Sequence, residues 1–142
     1  MRVVFLVSAA ALSLAVPAFA QDTSGDPEKG AREFNKCKAC HSILDASGEA
    51  VVKGGKVGPN LYGVVGRKAG SVEDFNYSES MVAAGEAGLN WDLEHFIPYV
   101  ADPTGFLRGY LEDDKARGKM IFKLNKEEDA QNVWAYIASV SE

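Results

Sequence analysis

Cysteine and histidine are scarce: the 142 residues carry two of each. A structural zinc site takes four N or S ligands, and nothing at ligand spacing surrounds the distant His95 to complete one with Cys37, Cys40 and His41. Positive charge is also short, with 15 basic residues against 20 acidic and a net charge of −5, which argues against nucleic acid as a partner. Long apolar runs are missing as well. The run from Val3 to Val16 is broken by Pro17, and a bilayer span needs about 20 apolar residues. A basic start at Arg2, that short apolar run and the small-residue ending Ala18-Phe19-Ala20 instead predict a secretory signal peptide over 1–20, cleaved after Ala20. A single domain of 122 residues, 21–142, is then expected in the periplasm; retention of the leader would make it a membrane-anchored protein instead.

What is present is concentrated. Both cysteines and one histidine fall within five positions of "N-K-C-K-A-C-H-S", Asn35 to Ser42. An exported chain favours disulfides, but two cysteines three apart on a helix are poorly placed for one, and so short a loop constrains the unfolded chain little. A thioredoxin-like dithiol needs a β-α-β setting, and no strand pattern precedes Lys36. Cys-x-x-Cys-His uses all three residues: two thiols one helical turn apart add to the vinyl groups of a haem, and the adjacent imidazole ligates the iron.

The far side of the iron separates a carrier, with a closed site, from a haem enzyme or gas sensor with an open one. Three side chains are candidates. Met81, in "Y-S-E-S-M-V-A-A-G", reads as a core methionine on a short helix, and His95, early in "W-D-L-E-H-F-I", as a solvated histidine. Met120 lies in the irregular basic segment "A-R-G-K-M-I-F-K", where the apolar pair Ile121-Phe122 needs something to pack against and a haem edge would serve.

Taken together, the motifs resemble those of class I c-type cytochromes, and within them the bacterial cytochrome c2 group with its c550 relatives. The resemblance runs from about Asp26 to Val140. It includes "F-N-K-C-K-A-C-H", "G-P-N-L-Y-G-V-V-G-R-K-A-G" at 58–70, "F-N-Y" ending at Tyr77, Trp91, "Y-V-A-D-P" ending at Pro103, "G-K-M-I-F-K" at 118–123 and "V-W-A-Y-I" at 133–137. It implies one haem c, covalently held by Cys37 and Cys40, with iron ligated by His41 and Met120. It also implies that the Pro59 carbonyl orients His41, that Arg67, Tyr77 and Trp91 face the haem propionates, and that Tyr99 sits near the methionine sulfur. Those residue types suit the task, since a carboxylate taken out of water needs charge or donors.

The expected fold is all-α, the cytochrome c fold, with crossing N- and C-terminal helices and long loops around one haem. Independently of the family, Asp26 and Pro27 read as N-cap and first residue of a helix, with Gly30 leaving room for the C-terminal helix to cross closely. That last helix begins after Asn125, with Glu127, Glu128 and Asp129 at its positive end and Ala130, Val133, Trp134 and Ile137 in helical period. Two more helices are expected around 92–101 and 104–110, the first expected to kink or break at Pro98, and no alternating strand is evident. A structureless loop from Ser42 to Gly70 is long for a compact domain unless a haem serves as its core.

Charge is segregated along the chain. From Lys36 to Lys68 six basic residues face two acids, from Lys115 to Lys126 five face none, and from Ser71 to Asp114 ten acids accompany one arginine. The basic segments flank the haem residues, which predicts a positive ring (Lys36, Lys56, Lys119, Lys123 and Lys126) that steers encounter with a negative patch. The expected function is electron transfer rather than catalysis, by a monomer. The family resemblance implies the cytochrome bc1 complex as donor and a photosynthetic reaction centre or terminal cytochrome oxidase as acceptor.

Overall fold

The computed structural model describes residues 24–141; the leader and its cleavage point lie outside them. Five helices appear in chain order: α1 Pro27–Glu33, α2 Glu79–Glu86, α3 Leu93–Ala101, α4 Pro103–Leu111 and α5 Glu127–Ser139. A 3-10 turn, Phe34–Lys36, continues α1 toward the cysteines. Among the described residues no helix is long and apolar enough to cross a membrane.

Local chemistry starts each helix. The Asp26 carboxylate accepts from the amides of Glu28 and Lys29, and Pro27 occupies the first helical position. Ser78 caps α2 through the Met81 amide, and Asp92 caps α3 through the His95 amide. The first turn of α5 carries Glu127, Glu128 and Asp129 where the helix dipole is positive.

Helices α1 and α5 pack against each other. A Cβ on Gly30 would come 1.9 Å from the Asn132 carbonyl oxygen, so only glycine permits the crossing. Next to it, the Asp26 amide donates to Asn132 Oδ1 at 2.7 Å, and Phe34 meets the ring of Tyr136 at 5.4 Å. Phe34, Leu107, Val133 and Ile137 are almost fully buried and anchor a core that Trp134 joins through Phe96.

Two sequence expectations need correction. The segment after His41 is not structureless: Ile43–Leu44 (β1) and Ala50–Val52 (β2) pair antiparallel, Ile43 opposite Val52, around a turn organised by Asp45. Ile43 is fully buried there. Two- and three-residue strands are too short to show alternation, which is why the sequence pattern missed them. Nor does Pro98 break α3. Pro98 and Glu94, whose carbonyl would have received the missing amide, both face solvent, so water can satisfy that carbonyl and the helix runs on to Ala101. Met81, as expected, is a core residue on α2.

Candidate functional site

The turn that carries the cysteines is helical in its hydrogen bonds: the Cys40 amide donates to the Cys37 carbonyl at 3.1 Å and the His41 amide to the same oxygen at 2.9 Å. Both thiols therefore project from one turn, and both are free. Burial pushes the Cys37 thiol up to about 11, so it is neutral near pH 7.

His41 is held from the opposite side. Its Nδ1 lies 2.9 Å from the Pro59 carbonyl oxygen. A carbonyl can only accept, so the proton sits on Nδ1 and Nε2 keeps a free lone pair. Burial lowers the imidazole's proton affinity, a pull that the Pro59 bond partly opposes.

The segment from Gly54 to Pro59 lies flat on the cysteine turn. The Gly55 amide donates to the Lys38 carbonyl at 2.8 Å and the Gly58 amide to the Cys40 carbonyl at 2.7 Å. A Cβ on Gly54 would fall 1.8 Å from the His41 carbonyl oxygen, and one on Gly58 would fall 2.2 Å from the imidazole Cε1. Sequence reading passed over Gly54 and Gly55 and took Gly58 only as the start of the 58–70 motif, although "K-G-G-K-V-G" signals close backbone approach. It also missed Asn60, whose side chain accepts from the Leu44 and Tyr62 amides and donates to the Leu44 carbonyl, fixing the loop beyond Pro59 to β1.

Arg67, Tyr77, Trp91 and Tyr99 gather on one side. The Arg67 guanidinium donates to the carbonyls of Tyr62 (2.9 Å) and Asn60 (3.0 Å), and burial lowers its pKa while neighbouring Tyr77 acts in the opposite direction. The rings of Trp91 and Tyr99 lie 4.8 Å apart, and burial pushes the Tyr99 hydroxyl up to about 12. Among the described residues neither the Trp91 indole N–H nor the Tyr99 hydroxyl makes a hydrogen bond, and neither is sealed in the protein interior. The cluster thus keeps donors available for an anionic group.

Met120 is half-buried against the core, whereas the next residues face solvent, Ile121 at 92% exposure and Phe122 at 38%. His95 donates through Nδ1 to Asp92 Oδ1, 2.7 Å away, on the helix surface. Three of the five ring lysines have local partners: Lys36 pairs with Glu33, Lys119 donates to the Asn76 carbonyl at 2.5 Å and Lys123 pairs with Asp102 at 2.9 Å. Lys56 and Lys126 form no ion pair among the described residues.

Two free thiols on one turn, an adjacent imidazole with its outer nitrogen available and nearby donors for carboxylates form a donor set that fits a covalently bound haem. The fold and this motif define a c-type cytochrome, and the cytochrome c family model matches residues 27–141. The chain belongs to the cytochrome c family. It is 55% identical over 137 residues to cytochrome c2 of Cereibacter sphaeroides, covering 95% of this chain and 93% of that protein. It is 46% identical over 143 residues to cytochrome c-550 of Paracoccus versutus, covering 99% and 90%. The crystal structure of cytochrome c2 from Rhodobacter sphaeroides superposes with a TM-score of 0.80 at 57% identity, over 82% of this chain and 97% of the other. The chain is accordingly a haem c electron-transfer protein, not an enzyme.

Proposed function

We infer that this chain is a periplasmic electron shuttle whose haem is bonded to Cys37 and Cys40 and whose iron is closed by His41 Nε2 and the Met120 sulfur. The observation that carries this reading is the 2.9 Å contact between His41 Nδ1 and the Pro59 carbonyl, which leaves Nε2 free beside two unpaired thiols. Such partners fix an imidazole's tautomer and raise its basicity. Haem iron, when bound, supplies a one-electron couple, and a methionine opposite a histidine raises its potential.

The chain's own residues then have distinct tasks. Arg67, Tyr77 and Trp91 compensate the propionates, with Arg67 fixed by two carbonyls so that its charge is placed before any ligand arrives. Tyr99, packed on Trp91, lines the methionine side. The gly-rich segment over the cysteine turn presses His41 into one orientation. The basic ring gives fast and short-lived encounter, for which a small, salt-sensitive interface is suited. Lys56, Lys119 and Lys126 are the ring members best placed to act at long range, because no carboxylate neutralises them, whereas Glu33 offsets Lys36 and Asp102 offsets Lys123. Cytochrome bc1 is the proposed donor; a photosynthetic reaction centre or a terminal oxidase is the proposed acceptor.

Stopped-flow mixing of the reduced protein with each purified acceptor tests the function. The oxidation rate should fall steeply as ionic strength rises; a slow, salt-independent rate with every acceptor would remove the shuttle role.

A further inference from the structure

We propose that Asp102 is a positioning residue for Met120, acting through Lys123 as a latch that holds the methionine loop on the junction of α3 and α4. The proposal rests on the reading above in taking Met120 as the iron ligand.

Asp102 is the last cap of α3 and the first cap of α4, so its backbone is fixed by two helices. Its carboxylate lies against Gly105, where a Cβ would come 2.3 Å from Oδ2. The other oxygen, Oδ1, is 2.9 Å from Lys123 Nζ. One residue on, the Leu124 amide donates to the Val100 carbonyl at 2.7 Å. Residues 123–124 are thus stapled to 100–102 by one side-chain and one backbone tie.

The other limb of the loop is held in a similar way. The Arg117 amide donates to Ser80 Oγ at 2.9 Å, the Gly118 amide to Thr104 Oγ1 at 3.2 Å, and Lys119 reaches the Asn76 carbonyl. Between the two anchors lie Met120, Ile121 and Phe122, whose amides make no backbone hydrogen bond among the described residues. Ile121, 92% exposed, contributes little packing, whereas Phe122 is partly covered and Met120 rests against the core. The position of the Met120 sulfur therefore depends on the anchors at either end together with that one-sided contact.

An ion pair with both partners half-exposed adds little to global stability. Its effect is instead local, on the opening of a segment that packing holds only in part. The Lys123 charge is also offset by Asp102, so its substitution should disturb the iron site more than partner encounter.

The test uses the haem-loaded, full-length protein and imidazole as a competing ligand for ferric iron. Asp102→Asn, which removes the charge while keeping the side chain's size and shape, and Lys123→Gln should each raise imidazole affinity a few-fold and speed hydrogen exchange at the Leu124 amide. The double variant should show no further change, as expected for two ends of one interaction. Lys123→Arg should restore the wild-type values. Wild-type affinity should rise with salt toward that of Asp102→Asn, whose own affinity stays flat. Lys53→Gln makes the same charge change at an exposed lysine outside the latch and the docking ring and should leave both readouts alone. Wild-type behaviour of Asp102→Asn in both readouts, or an equal effect from Lys53→Gln, would overturn the latch. Imidazole affinity of Met120→Ala equal to that of wild type would instead remove the axial assignment, while Leu124 exchange would still decide whether the latch exists.

Discussion

Replacing Gly58 by alanine probes the site at its tightest contact. The added Cβ would lie 2.2 Å from His41 Cε1 and 2.6 Å from both ring nitrogens. Ordinary contact begins at 3.4 Å, so the imidazole must withdraw by about 1.2 Å. The Gly58 backbone cannot yield instead, because its amide is bonded to the Cys40 carbonyl at 2.7 Å. A shift of that size cannot keep the 2.9 Å bond from Nδ1 to Pro59. Overpacking costs roughly 1–3 kcal/mol, and the lost hydrogen bond about 1 kcal/mol more. Together these predict a loss of ~2–4 kcal/mol, or about 8–16 °C in Tm for a domain of this size. The potential should change as well. A histidine that no longer donates to Pro59 is a weaker base, so the ferric state loses more support than the ferrous and the potential rises. Gly30→Ala is the control, since its Cβ would strike the Asn132 backbone, far from the imidazole in its contacts; it should lower Tm and leave the potential unchanged. Calorimetry and spectroelectrochemistry on both variants decide the matter. Wild-type Tm and potential for Gly58→Ala would refute the steric account of how His41 is oriented.

Other expectations follow from particular contacts. Asn132 is 4% exposed and receives the Asp26 amide, so Asn132→Ala strands a donor and should cost about 1–3 kcal/mol in urea denaturation. Tyr99 is pushed up to about 12 by burial from an ordinary 10.0. Its raised value means the unfolded chain loses this proton first, so its contribution to stability is complete below pH 10 and declines between pH 10 and 12, by up to about 1.4 kcal/mol per pH unit. Denaturation midpoints of Tyr99→Phe against wild type across that window should show a shallower decline, and identical slopes would count against it. Lys126→Gln should reduce the salt dependence of the reaction with an acceptor more than Lys36→Gln does, since Glu33 already offsets Lys36; stopped-flow rates at several ionic strengths measure the difference.

The first helix was readable from its cap, Asp26-Pro27, and the last from its acidic first turn and apolar period, signals that depend on near neighbours alone; the caps at Ser78 and Asp92 emerged only with the fold. Gly30 was readable too, because a glycine on an otherwise good helix face signals close approach. The hairpin at Ile43–Val52 was not, being shorter than any period that could reveal it. Pro98 misled because the rule concerns the missing amide, while its cost depends on whether water can reach the Glu94 carbonyl. The haem motif is local and stood out at once, but the contacts that shape it are not. Asn60, Gly58 and Asp102 act on residues 16, 17 and 21 positions away respectively, and no spacing rule links them. Charge segregation was visible along the chain, yet only the fold shows that Lys123 is paired with Asp102 and that Lys119 ties the methionine loop to the Asn76 carbonyl.

The central claim is an electron carrier whose iron is closed by His41 and Met120. Spectroelectrochemical titration of the wild type against Met120→Ala measures it directly. The variant should lose the sulfur-to-iron absorption band and its potential should fall by on the order of 0.1 V, within the roughly 0.8 V that axial ligands command. An unchanged spectrum and potential would contradict the closed His41–Met120 site.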